Sequence, residues 1–307
     1  MKKTIIASAI AAVVAAPAAF ADVSISGQIN QEFIDRSGQD LNSDLNSDIV
    51  IKGSEDLGNG MKVSWLYETQ VDFTSGFGKT ETTETETASG NDENTTTAGS
   101  DTAFSKGRQA HVTVGGDFGN VHAGYMYFPT KGLFGFSKTE INGDGVADNS
   151  EFLIAEPKGA GVAYSNSFNG VKVTLGCANG SDTVDMCDTT DMSATGSFGG
   201  VNVGIANYSE VDKDDVLTVA ANTTVGDLTL GMIYQDNDTD TATIVSAKYA
   251  MGANSIAVSY GDDESNTAGN ENGTNIVLTH AMSKATSVYL ANDGLNDQTS
   301  IGLVTKF

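Results

Sequence analysis

The strongest constraint in this chain is the rhythm of its connections. Short alternating segments are joined by two kinds of link, and the two kinds take turns. Compact turns rich in Gly, Asn and Asp fall at 56–60, 117–120, 167–170, 198–200, 225–227, 251–254 and 283–286. Long polar connections lie near 35–47, 74–104, 129–158, 178–191, 210–215, 236–241, 261–273 and 292–298. Eight long links and seven short ones separate sixteen strands and leave both ends on the short-turn side. A soluble sandwich has no reason to alternate link lengths. An even-stranded membrane barrel does, with tight turns at one rim and long loops at the other.

The segments themselves have period two. In the first, Val23, Ile25, Ile29 and Phe33 point one way, and Ser24, Ser26, Gln28, Asn30 and Glu32 the other. In the third, Val63, Trp65, Tyr67, Val71 and Phe73 oppose Lys62, Ser64, Glu68, Gln70 and Asp72. The last ends with Thr299, Ile301, Leu303, Thr305 and Phe307 on one face, and a terminal aromatic suits an interfacial girdle. The expected fold is all-β: a sixteen-stranded antiparallel transmembrane β-barrel.

Residues 1–21 read as a cleaved signal peptide: Lys2 and Lys3, an apolar run, then Ala19-Phe20-Ala21 as a small-x-small cleavage site. Residues 22–307 form the barrel domain. No later segment approaches the ~18 consecutive apolar residues of a spanning helix, so an exported chain of this kind crosses a membrane only as a closed barrel. A net charge of −24 excludes nucleic acid as a partner, since phosphate contacts need clustered cations. Arg36 and Arg108 are the two arginines of the chain. His111, His122 and His280 are scattered and no G-x-S-x-G accompanies them, so the sequence carries no enzyme signature.

Two stretches, KGSEDLGNGMKVSWLYETQVDF (52–73) and KGRQAHVTVGGDFGNVHAGY (106–125), resemble the general porins of Gram-negative bacteria, in particular the neisserial and burkholderial type. Phe307 resembles the terminal Phe by which assembly machinery recognises such barrels. The resemblance implies a homotrimer in outer-membrane lipid, a third long loop folded inward to narrow the pore, and passive diffusion of small hydrophilic solutes. It implies wall arginines facing loop acids. Arg108 matches one of them, while Asp48 and Tyr125 stand where the family places others. Lys52 shares a face with Asp48 and is either a lumen cation or a charge at the rim. Alternation groups Arg108 with the lipid-facing Ala110, Val112 and Val114. The resemblance puts it in the lumen, where packing between sister subunits would suspend the lipid rule. With Glu68 and Lys106, these residues are the candidates for the constriction wall.

The 129–158 connection is the candidate constriction loop, with Glu140, Asp144, Asp148, Glu151 and Glu156 against Lys131, Lys138 and Lys158. Acids confined in a narrow pore favour cations; the alternative is that they only solvate the loop. Residues 140–151 also fit a calcium loop except at the first position. Glu140, Asn142, Asp144, the Val146 carbonyl, Asp148 and Glu151 would surround the ion, and Gly145 would permit the bend. The competing reading is a chance match in an acidic loop, so calcium is a possible structural ion and no cofactor is required. Cys177 and Cys187 flank the fourth long link and are either a disulfide or two free thiols. The 74–104 segment is an acidic, low-complexity external loop. The function expected is a cation-preferring diffusion pore. The alternatives are a substrate-specific porin and a calcium-stabilised surface or adhesion barrel.

Overall fold

The computed structural model describes residues 22–36, 42–44, 47–71, 106–137, 147, 152–154, 157–178, 187–264 and 272–307. The expected signal segment 1–21 and the 74–104 connection lie outside these residues. The strands are β1 (Asp22–Arg36), β2 (Asn42–Asp44), β3 (Ser47–Gly58), β4 (Met61–Val71), β5 (Lys106–Gly116) and β6 (Gly119–Tyr127). They continue with β7 (Lys158–Phe168), β8 (Val171–Ala178), β9 (Thr189–Phe198), β10 (Val201–Glu210), β11 (Val216–Val225) and β12 (Leu228–Asp236). The last five are β13 (Thr241–Met251), β14 (Asn254–Asp263), β15 (Asn272–Ala281), β16 (Thr286–Asp293) and β17 (Gln298–Lys306).

These segments make sixteen staves. β2 and β3 meet β1 in one continuous register, Glu32 opposite Asp44 and Gln28 opposite Asp48, so they are two pieces of the same stave. Every neighbour in the ring is antiparallel, and β1 closes the circle against β17 from Gln28–Lys306 to Arg36–Gln298. The tight turns use residues that tolerate positive φ. Asn169 and Gly170, at 50° and 83°, join β7 to β8, matching the twist of adjoining strands.

The two faces of the wall differ in kind. Outward stand large apolar residues in the open: Ile25 is 62% exposed, Ile301 59% and Phe307 56%. Inward, Asn30, Glu32, Thr218 and Gln235 are fully buried. This inverts a soluble protein and matches a barrel whose exterior meets lipid.

Described parts of the 129–158 connection lie against the interior wall. A 3-10 helix, Pro129–Phe136, begins at a proline and runs along the inner side of β8 to β12. Its Leu133 and the following Phe152 are buried among Ala206, Ala220, Ile233 and Ile244, all from inward-facing positions. The wall is carved to receive them: a side chain at Gly204 would press on Leu133, and at Gly261 would collide with Phe152. Both Thr130 N and Thr130 Oγ1 donate to the Asp191 carboxylate, at 2.9 and 2.8 Å. Ser246 Oγ donates to the Ser137 carbonyl. Where the connection leaves and rejoins the barrel, Phe128 N donates to the Pro157 carbonyl at 3.0 Å. Cys177 on β8 and Cys187, just before β9, are joined as a disulfide.

An exterior in lipid should reject charge. Met232 faces outward at the middle of β12, and Met232→Arg is expected to cost about 2–4 kcal/mol, read as a lower urea midpoint for the barrel folded in vesicles. Arginine at Asn202, on the interior face of β10, should leave that midpoint nearly unchanged.

Candidate functional site

Cross-strand partners share a face, so the register locates each candidate. Gln28–Asp48–Gln70, Ser26–Val50–Glu68 and Ser24–Lys52–Leu66 form three inward rows across β1, β3 and β4. Asp48, Lys52 and Glu68 therefore line one interior surface. Lys52 is exposed and lines a recess with Asp22, Ser24, His111 and Thr113, toward the short-turn rim.

Arg108 reaches the interior for a reason that alternation does not contain. Glu68 pairs with Gln109, yet the next pair is Thr69 with Gly107, leaving Arg108 as the extra residue of a β-bulge. A bulge re-aims a side chain and resets parity beyond it. The parity that groups Arg108 with Ala110 and Val112 stops there, and subunit packing is not needed to explain its direction. Arg108 Nε contacts Glu68 Oε1 at 2.9 Å, and Gln109 Nε2 donates to Glu68 Oε2 at 2.6 Å. The guanidinium also lies 5.8 Å from the centre of the Tyr127 ring, whose surroundings include Lys131 Nζ at 5.6 Å. The Lys106 backbone pairs with Gln70; its side chain is outside the described residues.

Tyr125 is a correction. It pairs with Ala110 and Ala160, on the face that carries Val112, Val121 and Val162, and points out of the barrel. It does not line the interior. Its place in the family pattern was read from local sequence, whereas its direction is set by register.

Glu140, Asn142, Asp144, Val146, Asp148 and Glu151 lie outside the described residues. Within that stretch Ala147 is described, with a positive φ of 70°, packed on Ala257, Val277, Tyr289 and Ala291 of the interior wall. Among the described residues there is no cluster of three or more His, Cys, Asp or Glu placed to hold a metal.

The interior also contains residues that the sequence reading passed over. The β5–β6 hairpin brings His111 and His122 together, ring centres 6.2 Å apart and edge to face. Beside them stand Lys172 on β8 and Lys131 on the helix, lining a recess of about 460 Å³. Period-two parity from the 117–120 turn would have placed both histidines inward. The charge also divides along the axis. At the long-loop rim stand Glu210, Asp212, Asp214, Asp240, Asp263 and Glu264 with Lys213. Near the short turns the inward charges include Lys52, Lys62, Lys172, Lys248 and Lys306 with Asp22 and Asp56.

A closed antiparallel barrel, apolar outside, polar and charged within, is an outer-membrane barrel of the pore-forming class. The chain belongs to the Gram-negative porin family, whose model matches residues 7–297. No curated protein sequence matches it significantly. Its fold is similar to solved porins of low identity. OmpT of Vibrio cholerae in its trimer form is 14% identical, with 94% of this chain and 99% of that one covered at a TM-score of 0.63. Salmonella typhi OmpF in complex with daunomycin is 14% identical, covering 93% and 97% at 0.65. The anion-selective porin of Comamonas acidovorans is 17% identical, covering 94% and 100% at 0.60.

Glu68 offsets the charge of Arg108 inside the wall. Glu68→Gln removes one negative charge beside that cation and should shift permeability toward anions, read as a displaced zero-current potential across a salt gradient.

Proposed function

We propose that the chain forms a water-filled channel for passive diffusion of small hydrophilic solutes and ions across the outer membrane, with a preference for cations. The acidic long-loop rim carries this reading, because carboxylates there raise the local concentration of cations before they enter. The acids of the 129–158 connection add to the same field. The Leu133 and Phe152 anchorage supports that connection as the element that narrows the pore. The family and the fold support a channel in place of an enzyme, and the trimer form of the Vibrio OmpT supports a homotrimer. The Comamonas porin has the same fold and the opposite ion preference, so the preference belongs to side chains and not to the barrel.

The reversal potential of the purified protein in a planar bilayer under a salt gradient tests this reading. A cation-selective potential is expected. An anion-selective one overturns the roles given to Asp48 and the loop acids and leaves the pore standing. No conductance at all overturns the pore and favours a plugged surface barrel. Repeating the measurement with calcium and with chelator tests residues 140–151: a cation preference that calcium lowers supports a site there, and indifference removes it.

The anchorage has its own test. Phe152→Ala should cost about 3–5 kcal/mol as a buried aromatic is lost, and should raise single-channel conductance as the connection loosens. Unchanged conductance would remove that connection as the narrowing element.

A further inference from the structure

We propose that the recess beside the 3-10 helix is a binding site inside the pore for small organic dianions, held by His111, His122, Lys131 and Lys172. The inference rests on the channel reading, which supplies the water-filled path to the recess.

The recess holds about 460 Å³, enough for a small solute with some of its water. Its wall sets cations, imidazoles and hydroxyls beside the apolar Met126, Phe128, Pro129 and Leu133. Lys172 is exposed on β8, flanked across the sheet by Thr195. Ser165, Thr174 and Ser193 face the same space. His122 is held in place: its Nδ1 lies 2.7 Å from Thr113 Oγ1, and its Nε2 lies 3.2 Å from Ser165 Oγ. His111 stands edge-on to it.

Among the described residues, Glu68 and Asp191 are the acids near this surface, and both already bind donors. Glu68 holds Arg108 and Gln109, and Asp191 accepts two hydrogen bonds from Thr130. Lysines and imidazoles converging with hydroxyls on one concave surface are the chemistry of oxyanion recognition. A divalent metal on the histidine pair is disfavoured by comparison, because Lys172 and Lys131 share the recess.

Two properties follow. The long-loop rim is acidic and the inward wall near the short turns carries more lysines than acids, so a dianion should reach the site more readily from the short-turn side. Imidazoles ordinarily change charge between about pH 5 and 8, so binding should tighten as the solution is acidified. Among the described residues, the charged or titratable groups facing the pair are Lys52 on β3, Glu68 on β4, Arg108 on β5, Tyr127 on β6, Lys131 on the helix, Lys172 on β8 and Asp191 on β9.

The test uses the full-length pore in a planar bilayer and 1,3-benzenedisulfonate, whose charge is fixed across this pH range. The expected result is block of the potassium chloride current, stronger from the short-turn side and several-fold tighter at about pH 5.5 than at about pH 8. Lys172→Gln should weaken the block several-fold. The double variant His111→Gln with His122→Gln should reduce its dependence on pH. Each variant is first shown to conduct potassium chloride, which separates a lost site from a misfolded barrel. A conducting wild type with no block, or block unaltered by both variants, overturns the site and leaves the channel intact. A wild type that does not conduct overturns the channel reading, and the site with it.

Discussion

Everything in this molecule depends on the seam between its first and last strands. In hydrocarbon, an unpaired backbone amide or carbonyl costs several kcal/mol, so a sheet survives there only when it has no edge. β1 meets β17 along its outer half, and at the inner end the pairing continues to the last residue. Gly27 N donates to the Phe307 carbonyl and Phe307 N donates to the Gly27 carbonyl, both at 3.1 Å. A side chain at Gly27 would meet the Phe307 ring at 2.9 Å. The terminal aromatic thus faces outward at the point where the circle closes, and the glycine opposite leaves room for it.

Once the ring is closed, the pleat determines the rest. Each residue is committed to lipid or to the interior, and the interior must then be filled or left to water. On the β9–β14 side it is filled. Gly204, Ala206, Ala220, Gly231 and Gly261 keep the wall low, and Leu133, Phe136 and Phe152 occupy the space. On the β3–β8 side the wall carries long polar side chains instead, among them Lys52, Glu68, Gln109, His111, His122 and Lys172. The same alternation therefore builds a packed half and a wet half. Small residues mark the first and titratable ones the second.

The barrel was legible because its signals are local: period-two runs, glycine and asparagine turns, and links of two lengths. The interior was less so. Ala and Gly fit either face of a strand, and nothing in Gly204 or Ala220 announces that a distant phenylalanine or leucine rests there. The bulge at Arg108 is a property of two paired strands, so the 106–116 sequence alone gives a wrong parity with a clean pattern. Tyr125 was placed by likeness to a family position, while register puts it outside. The histidines were within reach, since the hairpin turn fixes their parity, but three dispersed histidines were weighed as candidate metal or catalytic groups and not as lumen charges.

The axial division of charge gives this wall a direction. The apolar band of such a barrel is about 25 Å tall, while charges in physiological salt are screened beyond about 8 Å. An acidic rim and a basic interior near the turns are thus separated by more than the screening length, and act in series instead of cancelling. On the proposed cation preference, a cation concentrated at the long-loop rim would lose that attraction before it reached Lys52, Lys172 and Lys306, and so would not be retained. Conduction requires this balance, since a site strong enough to draw ions in must not hold them. The −24 of the whole chain says nothing of it. Net charge is a sum, and permeation samples the charges one zone at a time.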